Sequence, residues 1–303
     1  MAHETQRPSR SLSVGVIGAG RVGAVLAAAL REVGYEVVAV AGESDASRTR
    51  IETLLPGMHV DKPTAVARAC DLLLLTVPDD TLDNVVRMLV ASGAVRSGQL
   101  LVHTSGRHGI EVLRPALEAG ARGIAMHPAM TFTGTDLDLE RLRGCVFGVT
   151  SNLWERSVAE DLAADLGATT VWVAEKDRIL YHAALAHGAN HLVTLVAQAM
   201  DLLRLTGSDD PSATLRPLLT ASLDNALAYG DAALTGPIVR GDVDTVRAHL
   251  RTLTAVRSGS ALESYVAMAR ATANRAVGDG RLEPRRAAGL VEAINDALAG
   301  ITG

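Results

Sequence analysis

Residues 14–34, VGVIGAGRVGAVLAAALREVG, leave the chain few folds to choose from. Val14, Val16 and Ile17 read as a short buried strand, and Gly18, Gly20 and Gly23 follow as G-x-G-x-x-G. An Ala/Leu/Val helix comes next, then a second apolar run at Tyr35–Ala41. Strand, glycine turn, helix and strand in this order are the setting in which the motif marks a dinucleotide site. Gly18 allows a tight turn, Gly20 leaves room for a pyrophosphate against the backbone, and Gly23 lets helix and strand pack closely. Arg21 and Val22 open the helix, whose unpaired N–H groups and positive dipole end attract phosphates. A bare helix-packing turn is the competing reading, and the flanking pattern argues against it.

Apolar runs of strand length continue along the chain: Asp71–Val77, Leu100–His103, Gly123–Met126, Cys145–Val149 and Thr170–Val173, with a helix over Leu153–Leu166. Asp71–Val77, DLLLLTV, is apolar throughout, as expected of a strand covered on both faces. Strands and helices alternate to about Glu175, and no strand signal follows. The expected architecture is α/β: a doubly wound parallel-sheet (Rossmann) domain over residues 12–175, then an all-helical domain over 176–303. The length of 303 residues suits two domains.

The second strand leads into Gly42–Arg50, GESDASRTR. An Asp or Glu about 20 residues beyond the glycine motif holds the ribose hydroxyls of NAD, whereas an Arg accommodates the extra phosphate of NADP. Glu43 suits the first role; Ser44, Ser47, Arg48 and Arg50 suit the second. Clustered cations and hydroxyls favour NADP, with NAD left open. Alternatively, Ser47–Arg50 simply opens a surface helix. Val77, Pro78 and Asp79, at the next strand end, complete the expected cofactor set.

The helical region opens with one long helix, Lys176–Leu205, apolar nearly all round and so expected to be buried. His187, Asn190, His191, Thr194, Gln198 and Asp201 form a polar stripe on it, either facing solvent or lining a cleft against the first domain. His182 lies off that stripe, as a core histidine or a second approach to the cleft. Asp210-Pro211 starts another helix, reaching about Tyr229. Ala233–Asp242, ALTGPIVRGD, is a stiff loop with Asp242 placed as the N-cap of a helix over Val243–Val256. Its Arg240 suits a substrate carboxylate or phosphate, or a structural ion pair near Asp242. Two more helices, about Ala261–Val277 and Pro284–Leu298, close the chain.

Ligands of open parallel sheets bind outside the carboxyl ends of the strands. Ser105 and His127 stand at two such ends. Interconverting a carbonyl and an alcohol needs a group that moves a proton to or from oxygen, and histidine suits that task near neutral pH. His127, stiffened by Pro128, is therefore the expected general acid/base, with Ser105 and Asn190 polarising the oxygen. Thr131 and Arg240 are the expected substrate contacts. A structural histidine is the alternative for His127, and His182 competes with it as proton carrier.

The glycine loop, the VPDD stretch at Val77–Asp80 and the helical second half resemble the superfamily of 6-phosphogluconate dehydrogenase, ketopantoate reductase and 3-hydroxyacyl-CoA dehydrogenase. HTSG (103–106), AMHPAMTF (125–132), YHAALAHGANHL (181–192) and ALTGPIVRGD (233–242) resemble more closely a bacterial family of Rossmann-like oxidoreductases whose helical domain has no settled function. The resemblance spans nearly the whole chain. It implies an NAD(P)-linked reductase, dimeric through the helical domain. In hydroxyacyl-CoA dehydrogenases a Ser, a His and an Asn in the order of Ser105, His127 and Asn190 surround the reacting carbonyl, and prephenate dehydrogenases carry a similar Ser and His-Pro. The other branches place a Lys one turn before the Asn, where this chain has Ala186; the only nearby lysine is Lys176. The expected substrate is a small carbonyl compound in the interdomain cleft, a 2-oxo acid such as 2-dehydropantoate on superfamily resemblance. Imine reduction and ring-alcohol (prephenate-like) oxidation are alternatives with the same cofactor site. A non-catalytic NADP-binding sensor or interaction protein is the third.

Composition excludes other classes. The net charge of −5 and the absence of Lys/Arg-rich runs argue against nucleic acid. Cys70 and Cys145 stand alone, without metal-ligand spacing, and suit a reduced, cytoplasmic core. No metal is expected. Met1–Ser11 lacks the apolar centre of a signal peptide and is expected to be a disordered tail, and no run approaches the ~20 residues that span a bilayer.

Overall fold

The computed structural model describes residues 11–42, 44–256 and 258–299. The expected N-terminal tail up to residue 10, and Glu43 with its ribose role, lie outside them. The chain divides into two units, residues 1–186 and 187–303.

The first unit is built on seven strands: β1 (Val14–Ile17), β2 (Val37–Ala41), β3 (Leu72–Leu75), β4 (Leu100–His103), β5 (Arg122–Pro128), β6 (Val146–Ser151) and β7 (Thr169–Trp172). They form one sheet in the order β2-β1-β3-β4-β5-β6-β7. Helices α1 (Arg21–Glu32), α2 (Asp45–Leu54), α3 (Pro63–Ala69), α4 (Asp79–Ala91), α5 (Arg114–Glu118), α6 (Leu137–Leu142), α7 (Arg156–Asp165) and α8 (Arg178–Leu185) accompany it. The run DLLLLTV is apolar throughout because both its faces are covered. Leu72 and Leu74 join Val14, Val16, Val102 and the α1 residues Val25 and Leu26 in one core layer, whereas Leu73 and Leu75 join Leu101, Leu82 and Val86 in the other.

The first five strands in sheet order are parallel; β6 runs antiparallel to β5, and β7 is parallel to β6. The sheet is thus mostly parallel, as the doubly wound expectation has it, with the β5–β6 pairing as its one antiparallel step among the described residues. A parallel crossover needs a long connection that carries a helix over the sheet. The link from Pro128 to Val146 instead folds back around Asp138, a fully buried carboxylate that accepts from the amides of Thr133 and Gly134, each at 2.7 Å.

Between β1 and β3 the direction of strand succession reverses, which opens a crevice at the carboxyl ends of these two strands. The glycine loop lies there.

The single helix expected over Lys176–Leu205 is resolved into a 3-10 turn (Glu175–Asp177), α8, a π-helical segment (Ala186–Asn190) and α9 (His191–Leu205). The chain divides inside the π segment, past the expected Glu175, because α8 is tied to the sheet. Its Arg178 bonds to β5 and β6, and Tyr181 packs against Gly148 of β6.

The second unit is helical: α9, α10 (Pro211–Tyr229), α11 (Pro237–Arg240), α12 (Val243–Ala255), α13 (Ser260–Gly278) and α14 (Pro284–Ala299). Val246, Leu250, Val266, Ala273, Leu290 and Ile294 are among the residues that form its core, between α12, α13 and α14. Burial of the first helix of this unit was expected and is not observed. No described residue of α9 is buried, and α10 buries only Pro211. Leu227 of α10 is 80% exposed and Val193 of α9 is 70% exposed. Among the described residues, no helix is long and apolar enough to cross a membrane.

Candidate functional site

The glycine loop is shaped by close backbone contact. Gly18 has φ of +95°, and a Cβ there would meet the Thr76–Val77 peptide at 2.8 Å. A Cβ on Gly23 would overlap Thr76 Oγ1 and the Gly18 carbonyl oxygen. Thr76 fixes this loop by donating to Gly18 O at 2.8 Å. Gly20, by contrast, faces open space, with only Gly18 O within 4 Å of a built Cβ. No side chain caps α1 and no acid lies in its first turn, so its leading N–H groups remain available to an anion.

A cavity of about 800 Å³ opens over this loop. Gly18, Gly20, Arg21, Val22, Ser44, Ser47, Val77, Pro78, Asp79 and Ser105, all singled out from sequence, line it. Ser44 caps α2 by accepting from the Ser47 amide at 3.1 Å, and the two hydroxyls lie 2.9 Å apart. Arg48 is not among the lining residues; its exposed guanidinium pairs with Asp45 at 3.5 Å. Arg50 instead comes near the cavity wall: a Cβ on Gly134 would meet both Arg50 Nε, at 2.7 Å, and Arg21 Cγ, at 3.0 Å.

Ser105 follows β4, whose last residue, His103, is fully buried. His103 Nε2 lies 2.8 Å from the Gly109 carbonyl, and Nδ1 accepts from the Ser105 amide at 3.2 Å. These partners fix a neutral imidazole protonated at Nε2, and burial pushes its pKa down to about 4. Ser105 Oγ accepts from the His108 amide at 3.2 Å, which leaves its own hydrogen free to donate.

One residue on, Gly106 is the floor on which two histidines meet. A Cβ there would touch the rings of His182, at 2.5 Å, and His127, at 3.2 Å. The two ring centroids lie 6.0 Å apart. His127 pairs in register with Gly148, inside the antiparallel β5–β6 ladder rather than at a free strand end. Its Nδ1 lies 3.1 Å from the Tyr181 hydroxyl. Burial chiefly, with help from His182 and Arg178 and against the pull of Asp79, lowers its pKa to about 4. Near neutral pH His127 is therefore an uncharged acceptor. Two residues that matter here were not singled out from sequence, Tyr181 and Arg178. Their spacing of three places both on one face of α8, but no motif distinguishes that face.

The remaining candidates are Thr131 of the first unit and Asn190 and Arg240 of the second. Thr131 is exposed on the loop after β5. Asn190 ends the π segment and is exposed, within the second unit. Arg240 ends α11, where its Nε donates to Asp242 at 2.9 Å. That pair also explains why Asp242, expected to cap α12, makes no side-chain cap.

A family model for a Rossmann-like domain matches residues 2–128, and one described as a domain of unknown function (DUF2520) matches residues 145–272. No curated protein matches the sequence. Among solved structures, a Bacteroides fragilis protein described provisionally as an NADP oxidoreductase superposes with a TM-score of 0.73 at 20% identity, covering 87% of this chain and 98% of that one. A Streptomyces aurantiacus imine reductase gives 0.61 at 18% identity, covering 88% and 98%. A Plasmodium falciparum pyrroline carboxylate reductase with NADP bound gives 0.56 at 13%, covering 87% and 99%. The chain thus carries a Rossmann-like domain match over its first strands and a DUF2520 match that takes in β6, β7 and most of the helical second half.

Proposed function

We propose that this chain is an NADP-dependent oxidoreductase that reduces a small carbonyl compound. The observation that carries this reading is one continuous cavity that begins at the glycine loop and ends at Ser105, next to the His127–His182–Tyr181 cluster. The amides at the start of α1 would hold the pyrophosphate, and Ser44, Ser47 and Arg21 would meet the phosphorylated ribose; NAD fits the same loop without the last contact. When bound, the reduced nicotinamide would supply a hydride to the carbonyl carbon. The protein's own part is to orient the substrate oxygen and deliver a proton to it. Ser105 has a hydroxyl hydrogen to spare for that oxygen, and the neutral ring of His127, with that of His182 beside it, would wall the place where it would sit.

Carbonyl reduction needs a proton at oxygen as the hydride arrives, so a cluster of hydroxyl and imidazole groups has work to do. An iminium substrate arrives already protonated and cationic, and a buried Arg178 nearby disfavours it. Imine reduction is nevertheless the second reading, supported by the imine and pyrroline carboxylate reductases among the structural neighbours. A 2-oxo acid such as 2-dehydropantoate requires a cation for its carboxylate, and Arg240 would have to leave Asp242 to provide it. We also propose a homodimer through the helical unit, on the strength of the apolar side chains exposed along α9 and α10.

Nicotinamide absorbance in a substrate panel tests the reading: 2-oxo acids, aldehydes, ketones and cyclic imines with NADPH, ring alcohols with NADP. Turnover of carbonyl compounds is expected. Turnover of cyclic imines alone would transfer the assignment to the second reading, and tight NADPH binding without any turnover would make the protein a sensor.

A further inference from the structure

We infer that Tyr181 is the group that hands the proton to the substrate, with Arg178 as a buried cation that stabilises the phenolate left behind. The inference rests on the reductase reading and assigns its proton step.

Arg178 is only 1% exposed. Its Nε donates to Thr150 Oγ1 at 2.8 Å and Nη2 donates to the Ala125 carbonyl at 2.9 Å. The third nitrogen, Nη1, is buried without a hydrogen-bond partner. Among the described residues no carboxylate lies within ion-pair distance of it. Glu175, the acid whose charge reaches it, is engaged elsewhere, accepting from the Ile110 amide at 2.7 Å. A buried cation with no counter-charge in contact with it is costly to keep. Such a charge becomes useful where a negative charge develops, because it needs no reorganisation when that happens.

The guanidinium carbon lies 5.9 Å from the centroid of the Tyr181 ring, one helical turn on. Burial raises the phenol's pKa, and Arg178 opposes that rise. The phenol faces His127 of β5, the Gly148 backbone of β6 and Arg178 of its own helix. Cys145, ahead of β6, opposes its ionisation from further off. Asp79 at the start of α4, His182 of α8, His103 of β4 and Glu175, just ahead of α8, are the further titratable groups that act on the His127 ring and Arg178. His127 is uncharged near neutrality and so lacks the proton that a general acid must give. Tyr181 keeps its proton over the same range. As the carbonyl carbon takes the hydride, its oxygen takes the proton from Tyr181 Oη, and the O–H bond of the phenol breaks. The phenolate is reprotonated from water. His127 Nδ1, as a neutral acceptor 3.1 Å away, holds the hydroxyl in place between turnovers.

Two readouts test this, one of them free of catalysis. In the protein without substrate or nucleotide, the alkaline ultraviolet difference between wild type and Y181F isolates the Tyr181 ionisation. R178M and R178Q are expected to move its midpoint upward by about one pH unit or more, and R178K to leave it in place. Y181F is expected to lower kcat by about two to four orders of magnitude with NADPH affinity within about twofold of wild type. R178Q placed in the Y181F background is expected to add nothing further to the loss, as for residues acting through one group. A Tyr181 midpoint indifferent to the charge at position 178 would overturn the role of Arg178. Full turnover in Y181F would overturn that of Tyr181. Should no carbonyl compound be reduced, the reductase reading fails, while the titration still decides the Arg178–Tyr181 coupling.

Discussion

Gly23 shows how little freedom the cofactor loop has. A single methyl at this position overlaps both Thr76 Oγ1 and the Gly18 carbonyl, the two atoms whose hydrogen bond fixes the turn. Overpacking of this kind costs about 1–3 kcal/mol when neighbours must shift. Gly23→Ala is therefore expected to lower the thermal midpoint and to weaken NADPH at least about tenfold by calorimetry. His103 makes a second prediction, in pH. Its pKa falls from 6.5 to about 4 on folding, because burial penalises the charged ring. Between those values the unfolded chain binds a proton that the folded chain refuses. Stability is thus complete above about pH 6.5 and is lost as the pH falls toward 4, by roughly 3 kcal/mol for one such group. His127 adds to the same window with the same sign. Urea midpoints should be level from about pH 7 to 8 and fall steeply below about 6. His103→Gln, less stable at neutrality, should show a shallower fall.

At the scale of elements, the strands were legible because each carries its own apolar run, and residues on both faces of β3 are buried. The direction of β6 was not legible, since an apolar strand reads alike in either direction. The connection that leads into it is organised by a polar group: Asp138, fully buried, gathers the amides of Thr133 and Gly134 and the Thr133 hydroxyl. Removing that carboxylate leaves the buried Gly134 amide unsatisfied, at about 1–3 kcal/mol, and frees the part-buried Thr133 donors as well. Asp138→Ala is accordingly expected to destabilise the protein by at least about 2 kcal/mol in chemical denaturation, and hydrogen exchange should rise first at Thr133 and Gly134. The candidate site divides along the same line. Ser105 and the glycine loop announce themselves by their place at strand ends. The Arg178–Tyr181 face of α8 depends on a tertiary contact, the packing of the phenol on Gly148, which local spacing cannot disclose.

The second unit inverts the relation between composition and burial. Apolar character all round a helix means burial in a chain that folds alone. Here α9 and α10 present Val193, Leu205, Leu218, Leu223, Leu227 and Tyr229 as exposed side chains, while the core of the unit lies between α12, α13 and α14. Large apolar side chains exposed along two neighbouring helices suit an interaction site. A second copy is the occupant we propose, because the same helices on two chains would bury like against like in an isologous contact. If so, charges placed on α10 should separate the copies without touching the nucleotide loop, which belongs to the other unit. Leu223→Glu with Leu227→Glu is expected to shift the sedimentation coefficient from a dimer to a monomer and to leave NADPH affinity within about twofold. An unchanged dimer in that variant would move the interface off α10. A wild-type monomer at micromolar concentration would remove the second copy altogether, and the apolar surface would then call for a different partner.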